Sequence, residues 1–363
     1  MEAAAGLVLA GCLQVPPDSA EGGGFRRALV IAPGSVAAPL AEFPVLVRLS
    51  GDAGLSAHGT DDGLDVVFRD GAGTILPFER ASWDRAAGDL AAWVNVPLVS
   101  AEEATVLYLH YGGAGGSDQS EPPAVWRGGF AAVWHFEEEP GATLDSTAAG
   151  NHALGTAGSV ALGPGFVGNA VEFAGSEDYI DFGSDLPPEV DAGQLLTVTA
   201  WVRYDALNEW GHFLAKAPLG DNSQGWGLGI DVDFDFMIRV MDGDQNARGW
   251  TDAAEPLAGT WHHWAMIYDG TQSVDTARLR GMRDGEEYGL AYSAPIPARF
   301  DSQGGPLYLG CATWNTPTYC IDGAVDEVRI AGDARSTAWV AAEFASQVAG
   351  STFVGVGEEE SLE

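Results

Sequence analysis

Lysine is almost missing from this chain. Lys216 is the only one, and 17 basic residues stand against 52 acidic ones, for a formal net charge of −35. A surface of that sign repels nucleic acid and anionic membranes and favours cations or neutral ligands such as sugars. The lysine scarcity reads as a genomic or saline-habitat bias and not as a site. Long apolar runs are absent too: no stretch approaches the roughly 18–20 residues of a membrane span. Helical periodicity is scarce, and only TAWVAAEFASQ, near residues 337–347, reads as a helix. HExxH, GxSxG and phosphate-binding glycine loops do not occur, so the metallopeptidase, serine-hydrolase and nucleotide-binding patterns are missing. The case for an enzyme is thin.

What is present is a globular composition, with 46% hydrophobic residues, 49 glycines and 12 tryptophans in 363 residues, enough for two domains. The acid excess is uneven. Residues 25–111 hold 11 acids and 6 bases, whereas residues 125–348 hold 32 acids and 11 bases, so whatever draws cations lies mainly in the second half.

Residues 25–111 read as short strands cut by Gly, Pro and Asp turns: FRRALVIA, FPVLVRLS, LDVVFRD, AAWVNVPL and ATVLYLHY. Strands in that rhythm imply a β-sandwich. Residues 112–124, GGAGGSDQSEPPA, form a linker by composition. Residues 125–348 resume the strand pattern, with turns at Asp242-Gly243, Asp269-Gly270 and Asp284-Gly285, a hairpin-favouring dipeptide. The tail, residues 349–363, ends in VGVGEEESLE and is expected to fray. The fold class is therefore all-β, with two β-sandwich domains.

Residues 1–12 end in Leu9-Ala10-Gly11-Cys12, which resembles the lipobox of bacterial lipoproteins, and residues 13–24 follow as a flexible tether. The resemblance implies lipidation of Cys12, export, and residence at the cell envelope or surface, with the membrane engaged only through that anchor. In an exported chain, Cys311 and Cys320 across a predicted hairpin are expected to form a disulfide.

The segments VWHFEE, LDSTAAGNHA, GFVGNAVEFAGSEDYIDFG, LTVTAWVRY, GTWHHWAMIYDG, LYLG and IDGAVDEVRI, in that order over residues 129–348, resemble a concanavalin A-like (LamG-like) jelly roll. The first half, through LDVVFRD, LPFE, Trp83, WVNVP and LYLHYG, is similar to a bacterial domain of unknown function, number 2341, that commonly precedes such jelly rolls. Phe353 and Gly357-Glu358-Glu359 fit the tail often seen after this pairing.

One strand raises a problem of its own. In GAVDEVRIAG, residues 323–332, strict alternation puts Ala324, Asp326, Val328 and Ile330 on one face and Val325, Glu327 and Arg329 on the other. Glu327 would then stay wet beside Arg329, while Asp326 would fall among apolar groups, where a bare carboxylate is expensive. The jelly-roll resemblance implies a partner. It brings the turn carrying Asp145 and Asn151 near this strand, and LamG-like domains often hold calcium there, so Asp145, Asn151 and Asp326 are the expected ligands of a structural calcium ion. The alternative is an Asp326 carboxylate that accepts backbone N–H groups with no metal.

Asp231, Asp233 and Asp235 have the i, i+2, i+4 spacing of laminarinase-type glycosidases, but all are Asp and they fall where a turn is expected. Aromatic residues in polar loops offer a better lead, because sugars dock apolar C–H faces on flat rings. Trp210, Trp226, Trp250, Trp314 and Tyr319 are the candidates, the last two in a loop that a Cys311–Cys320 bridge would hold. Trp134, Trp201, Trp261 and Trp264 lie in apolar strands and are expected in the core. The sequence thus reads as a non-catalytic surface protein that binds glycan or a protein partner. A polysaccharide hydrolase and a scaffold of a surface assembly are the rival classes.

Overall fold

The computed structural model describes residues 23–362 apart from 114–115, 176, 220–222, 244, 252–257 and 313–318. Two β-sandwiches are present, as the strand rhythm implied. The first packs a four-stranded sheet (Gly355–Leu362, Gly24–Ile31, Thr105–Tyr111, Val67–Asp70) on a three-stranded one (Leu40–Leu49, Asp89–Val99, Phe78–Asp84). Leu29, Phe43, Val45, Phe68, Phe78 and Val94 fill the space between them. The second packs two eight-stranded sheets, and its core is built from Trp134, Val171, Val198, Phe213, Trp226, Ile238, Trp264 and Val328 among others.

Local chemistry explains several connections. Asp284 and Gly285 both take positive φ, 52° and 78°, and close a two-residue hairpin between Arg283 and Glu286. Asp242-Gly243 also sits in a hairpin, where Asp242 faces Gln245. Asp269-Gly270 instead ends its strand and leads into a longer connection, with the Asp269 carboxylate accepting from Thr271 N and Thr271 Oγ1. Ser336 caps the C-terminal helix Thr337–Gln347 by accepting from Trp339 N.

The tail does not fray. Gly355–Leu362 is a strand that pairs antiparallel with Gly24–Ile31 and completes the first sandwich, Arg27 facing Glu359 and Arg26 facing Glu360. Its acids find partners there: Arg26 Nε lies 2.8 Å from Glu360, and Tyr111 donates to Glu359 Oε2 at 2.5 Å. Phe353 and the helix residues Trp339 and Ala342 join the first core, and Trp339 meets Phe43 edge-on at 4.9 Å. The chain therefore leaves the first sandwich, builds the second, and returns to finish the first.

The strand Phe130–Trp134 that opens the second sandwich pairs with the strand Asp322–Ala331 that closes it, Val133 opposite Arg329. Alternation along the closing strand is broken. Against Leu195–Ala206 the register runs Thr199↔Arg329 and then Trp201↔Asp326, so an extra residue bulges out. Glu327 takes φ 52°, and the parity resets across it. Val325, Val328 and Ile330 all reach the core, while Asp326, Glu327 and Arg329 face the other way, toward the first sandwich. Glu327 and Arg329 do pair, at 2.8 Å, but both are only 2% exposed, so the expected wet pair is a buried one.

These buried charges knit the two sandwiches together. Arg329 donates to Glu327 and, with its other nitrogen, to Glu343 of the C-terminal helix, both at 2.8 Å. Its guanidinium lies 4.3 Å from the ring centre of Trp93 in the first sandwich and 4.9 Å from that of Trp126. His135 stands between Glu327 at 2.9 Å and Glu79 of the first sandwich at 3.3 Å. Glu79 also accepts from Trp126 Nε1 and from Ser146 Oγ. Burial alone would push the His135 imidazole down, but the Glu327 and Glu79 carboxylates outweigh it and hold the group well above its usual range. Burial would raise Glu343, but Arg329 chiefly, with His263 and Thr199, brings it down to about 2.

Two outcomes follow from this arrangement. Truncation after Val348 should lower the urea midpoint of the first sandwich, because its sheet loses an edge strand and its core loses Phe353; an unchanged midpoint would show that the returning strand contributes nothing. His135→Leu should cost roughly 3–5 kcal/mol by leaving the buried Glu79 without its cation and Glu327 with Arg329 alone. Because the folded-state value is raised, the stabilisation from His135 is fully present below the unfolded value of about 6.5 and disappears as pH rises through the folded one. Unfolding free energies measured across that range should therefore fall for the wild type and not for the variant; parallel curves would contradict the pairing.

Candidate functional site

The second sheet of the jelly roll has one face in the core and one face away from it. Along Phe236–Asp242, Phe236, Ile238 and Val240 point inward, so Met237, Arg239 and Met241 lie on the outer face. The neighbouring strand Gln245–Thr251 places Arg248 opposite Arg239 and Trp250 opposite Met237. On the other side of Arg239 stand Gly227 and then Ala215, a row of small residues, and Arg239 itself is buried at 7% exposure.

Loops add aromatic rings to this face. Trp210, at φ 63°, packs under the Arg248 guanidinium, 5.0 Å from ring centre to Cζ. Its carbonyl oxygen is 2.6 Å from His212 Nδ1, and His212 N donates to the Tyr319 carbonyl at 2.9 Å. Tyr319 is 45% exposed, has φ 59°, and its side chain acts electrostatically on Arg239. The Cys311–Cys320 disulfide is formed and anchors the end of that loop beside His212, which bridges Cys320.

The electrostatics of the face follow from burial. Burial, with Arg248 opposite as a second cause, lowers Arg239 to about 9. Burial first, then Arg239, lowers His212 to about 3, so the imidazole is neutral at physiological pH. Two cations directly opposite each other on adjacent strands repel. Arg239 is buried, so the accessible cation of this aromatic face is the half-buried Arg248.

The structure sorts the sequence candidates. It brings Trp210, Trp250 and Tyr319 to this face. Trp226 is a correction: it is fully buried in the sandwich core, where its Nε1 donates to Val190 O at 3.0 Å, because its strand turns that side inward. Trp314 lies outside the described residues, as does Cys12. Trp134 and Trp264 sit in the core as expected, but Trp201 is buried on the opposite side of its sheet, stacked on Phe166 at 3.4 Å. Arg239 and Arg248 were not legible as site residues, since only strand register sets them opposite each other.

The expected calcium ligands do not fit the ion. Asp145 Oδ1 accepts from Val133 N and Thr147 N, and its Oδ2 from Thr147 Oγ1 and Asn151 N, all at 2.8–2.9 Å, which uses the carboxylate's acceptor capacity. Asn151 Nδ2 donates to Ala131 O at 2.7 Å. Asp326 Oδ2 accepts from Phe166 N and Val167 N at 2.8 Å each, and Oδ1 is buried with no hydrogen-bond partner among the described residues. Burial and the neighbouring Glu327 push this carboxyl well above its usual range. Asp145 and Asn151 organise one loop and Asp326 grips another. Among the described residues no group of three His, Cys, Asp or Glu side chains is arranged to hold a metal.

The Asp231–Asp235 triplet is a turn and not a strand. It joins Gly225–Ile230 to Phe236–Asp242, and Asp231 Oδ1 accepts from Asp233 N and Asp235 N at 2.9 and 3.1 Å. The three carboxylates do not share a strand face, so the laminarinase-like arrangement is not formed.

Comparison with known proteins adds the family relationships. Residues 174–341 match the concanavalin A-like lectin/glucanases superfamily, and residues 62–151 match the domain of unknown function DUF2341. No curated protein matches the chain. Among solved structures, domain 4 of AbnA, a GH43 extracellular arabinanase from Geobacillus stearothermophilus in complex with arabinotriose, is similar at 21% identity over 59% of this chain and 97% of that one, with a TM-score of 0.44. The binding domain of Paraclostridial Mosquitocidal Protein 1 is similar at 12% identity over 60% of this chain and 52% of that one, with a TM-score of 0.42. The DUF2341 match thus runs from the first sandwich past the opening strand Phe130–Trp134 of the second, and the concanavalin A-like match follows it on the jelly roll.

Proposed function

We propose that the jelly roll is a non-catalytic glycan-binding module of an exported protein, anchored to the cell envelope through Cys12. One observation carries the binding reading: Trp210 and the half-exposed Tyr319 share the outer face of the second sheet with Arg248 and Arg239. A sugar presents apolar C–H faces to aromatic rings and hydroxyl rims to donors, and here the rings are Trp210 and Tyr319 and the donor is the half-buried Arg248. The disulfide at Cys311–Cys320 restrains the loop that carries Tyr319, which reduces the ordering cost of binding. The superfamily match supports a binding module on the same domain. The aspartate turn does not line its three carboxylates along one strand face, so the hydrolase alternative loses that triplet and rests on acids of the first domain.

A glycan array followed by calorimetry tests the reading. Trp210→Ala and Tyr319→Ala should each weaken the best glycan about tenfold or more, near 1.4 kcal/mol, without moving the melting temperature by more than a few degrees. No retained glycan, or equal affinity in both variants, would sink it. For the anchor, the chain expressed in a lipoprotein-competent bacterium should partition into a detergent phase and Cys12→Ala should not; equal partitioning would refute lipidation.

A further inference from the structure

The one lysine of this chain sits where solvent does not reach it. Arginine supplies every other strongly basic side chain, and the Lys216 side chain is 0% exposed. An ammonium is hydrated more strongly than a guanidinium and is harder to bury. A position that needed only a positive charge would be served by arginine, as the buried Arg329 position is. What an amine can do, and an arginine that never loses its proton cannot, is attack carbon as a nucleophile.

Lys216 ends the strand His212–Lys216, and its surroundings are built around the amine. Nζ lies 3.1 Å from Asp191 Oδ1 and donates to Gly305 O at 2.6 Å. The Gly305 backbone comes that close because it carries no side chain; a Cβ there would run into the Ala217 carbonyl. Asp191 is the last residue of the short helix Pro188–Asp191. Its backbone carbonyl accepts from Ser302 N at 2.8 Å, which holds the 302–305 loop against it. Its Oδ1 accepts from Ser302 Oγ at 2.6 Å and from Gly304 N at 3.2 Å.

The same contacts suit amide formation. The amine can be no more than one C–O bond length beyond 3.1 Å from the Asp191 carboxyl carbon, close to the roughly 3–3.5 Å of a near-attack arrangement. Attack on that carbon places negative charge on Oδ1, where the Ser302 hydroxyl and the Gly304 N–H already donate. Burial pulls the Lys216 amine below its ordinary value, against Asp191 and Asp185, which pull it up. Burial would raise Asp191, but Ser302, Lys216 and Gly304 hold it low, so the resting state is an ion pair.

We propose that Lys216 and Asp191 condense into an intramolecular amide joining the strand His212–Lys216 to the helix Pro188–Asp191. One proton passes from Nζ to Asp191 Oδ2, the neutral amine forms the C–N bond, and the C–Oδ2 bond breaks. That oxygen leaves as water with two of the three ammonium protons, and the third stays on the amide nitrogen, directed at Gly305 O. Ammonium plus carboxylate gives amide plus water, so atoms and charge balance without any co-reactant. Asp191 is 28% exposed, which gives the water a way out. Such a tie restricts the unfolded chain as a disulfide does, and a reductant would not open it. It does not rest on the glycan reading.

Peptide mapping of the full chain, reduced, denatured and cut with trypsin, tests this. Residues 128–203 and 204–239 should emerge joined, uncut after Lys216, with the summed mass less one water, and fragmentation should place the bond between Asp191 and Lys216. Lys216→Arg and Asp191→Ala should release the two segments separately at full mass. Cleavage after Lys216 in the wild type, with its amine open to acylation after denaturation, would overturn the proposal whether or not the variants fold. Loss of water that persists in both variants, as from succinimide formation at an Asp-Gly pair, would overturn it too.

Discussion

A single inserted residue in the closing strand governs how this molecule is assembled. Glu327 adopts a left-handed backbone, φ 52°, and shifts the register against Leu195–Ala206. A non-glycine residue held in that region costs roughly 1–3 kcal/mol, so it persists only where surrounding contacts over-determine it. Here they do. The bulge lets Val325, Val328 and Ile330 all reach one core while Glu327 and Arg329 both leave it. Regular pleating could not do both.

The consequence is a buried ionic seam between two sandwiches whose own cores are apolar. Glu79 comes from the first sandwich, Glu327 and Arg329 from the closing strand, His135 from just after the opening strand, and Glu343 from the C-terminal helix. Buried charges add little net stability compared with apolar groups of the same shape, but each one left unpaired is expensive. Such a seam therefore fixes geometry more than it adds stability: any rotation of one sandwich on the other would strand a charge. The returning strand Gly355–Leu362 closes the same loop by covalent continuity, so the first sandwich is complete only after the second has been made.

Away from the seam, the outer face of the second sheet follows its own electrostatic logic. On a chain this acidic, arginines tend to be consumed by nearby acids, as Arg26, Arg203 and Arg280 are. Arg248 instead rests on the indole ring of Trp210.

Much of the architecture was legible because it rests on local signals. Period-2 alternation, Asp-Gly turns and the Ser336 cap gave the strands, the hairpin at Asp284-Gly285 and the helix Thr337–Gln347. The disulfide could be read from two cysteines flanking one loop. The tail was misread because its acids look solvated until Arg26, 334 residues away, is placed beside Glu360. Trp226 was misread because a glycine-rich strand looks like a loop until its register turns the indole into the core. By itself the sequence determined which segments extend, where they turn, and that two sandwiches follow one another, since these depend on neighbours a few residues apart. Only the tertiary structure decided that Asp326 is held by backbone amides, that Glu327 is buried against His135, and that Arg239 and Arg248 face each other. Those facts depend on register and on a bulge, and a shift of one residue moves every side chain to the opposite face.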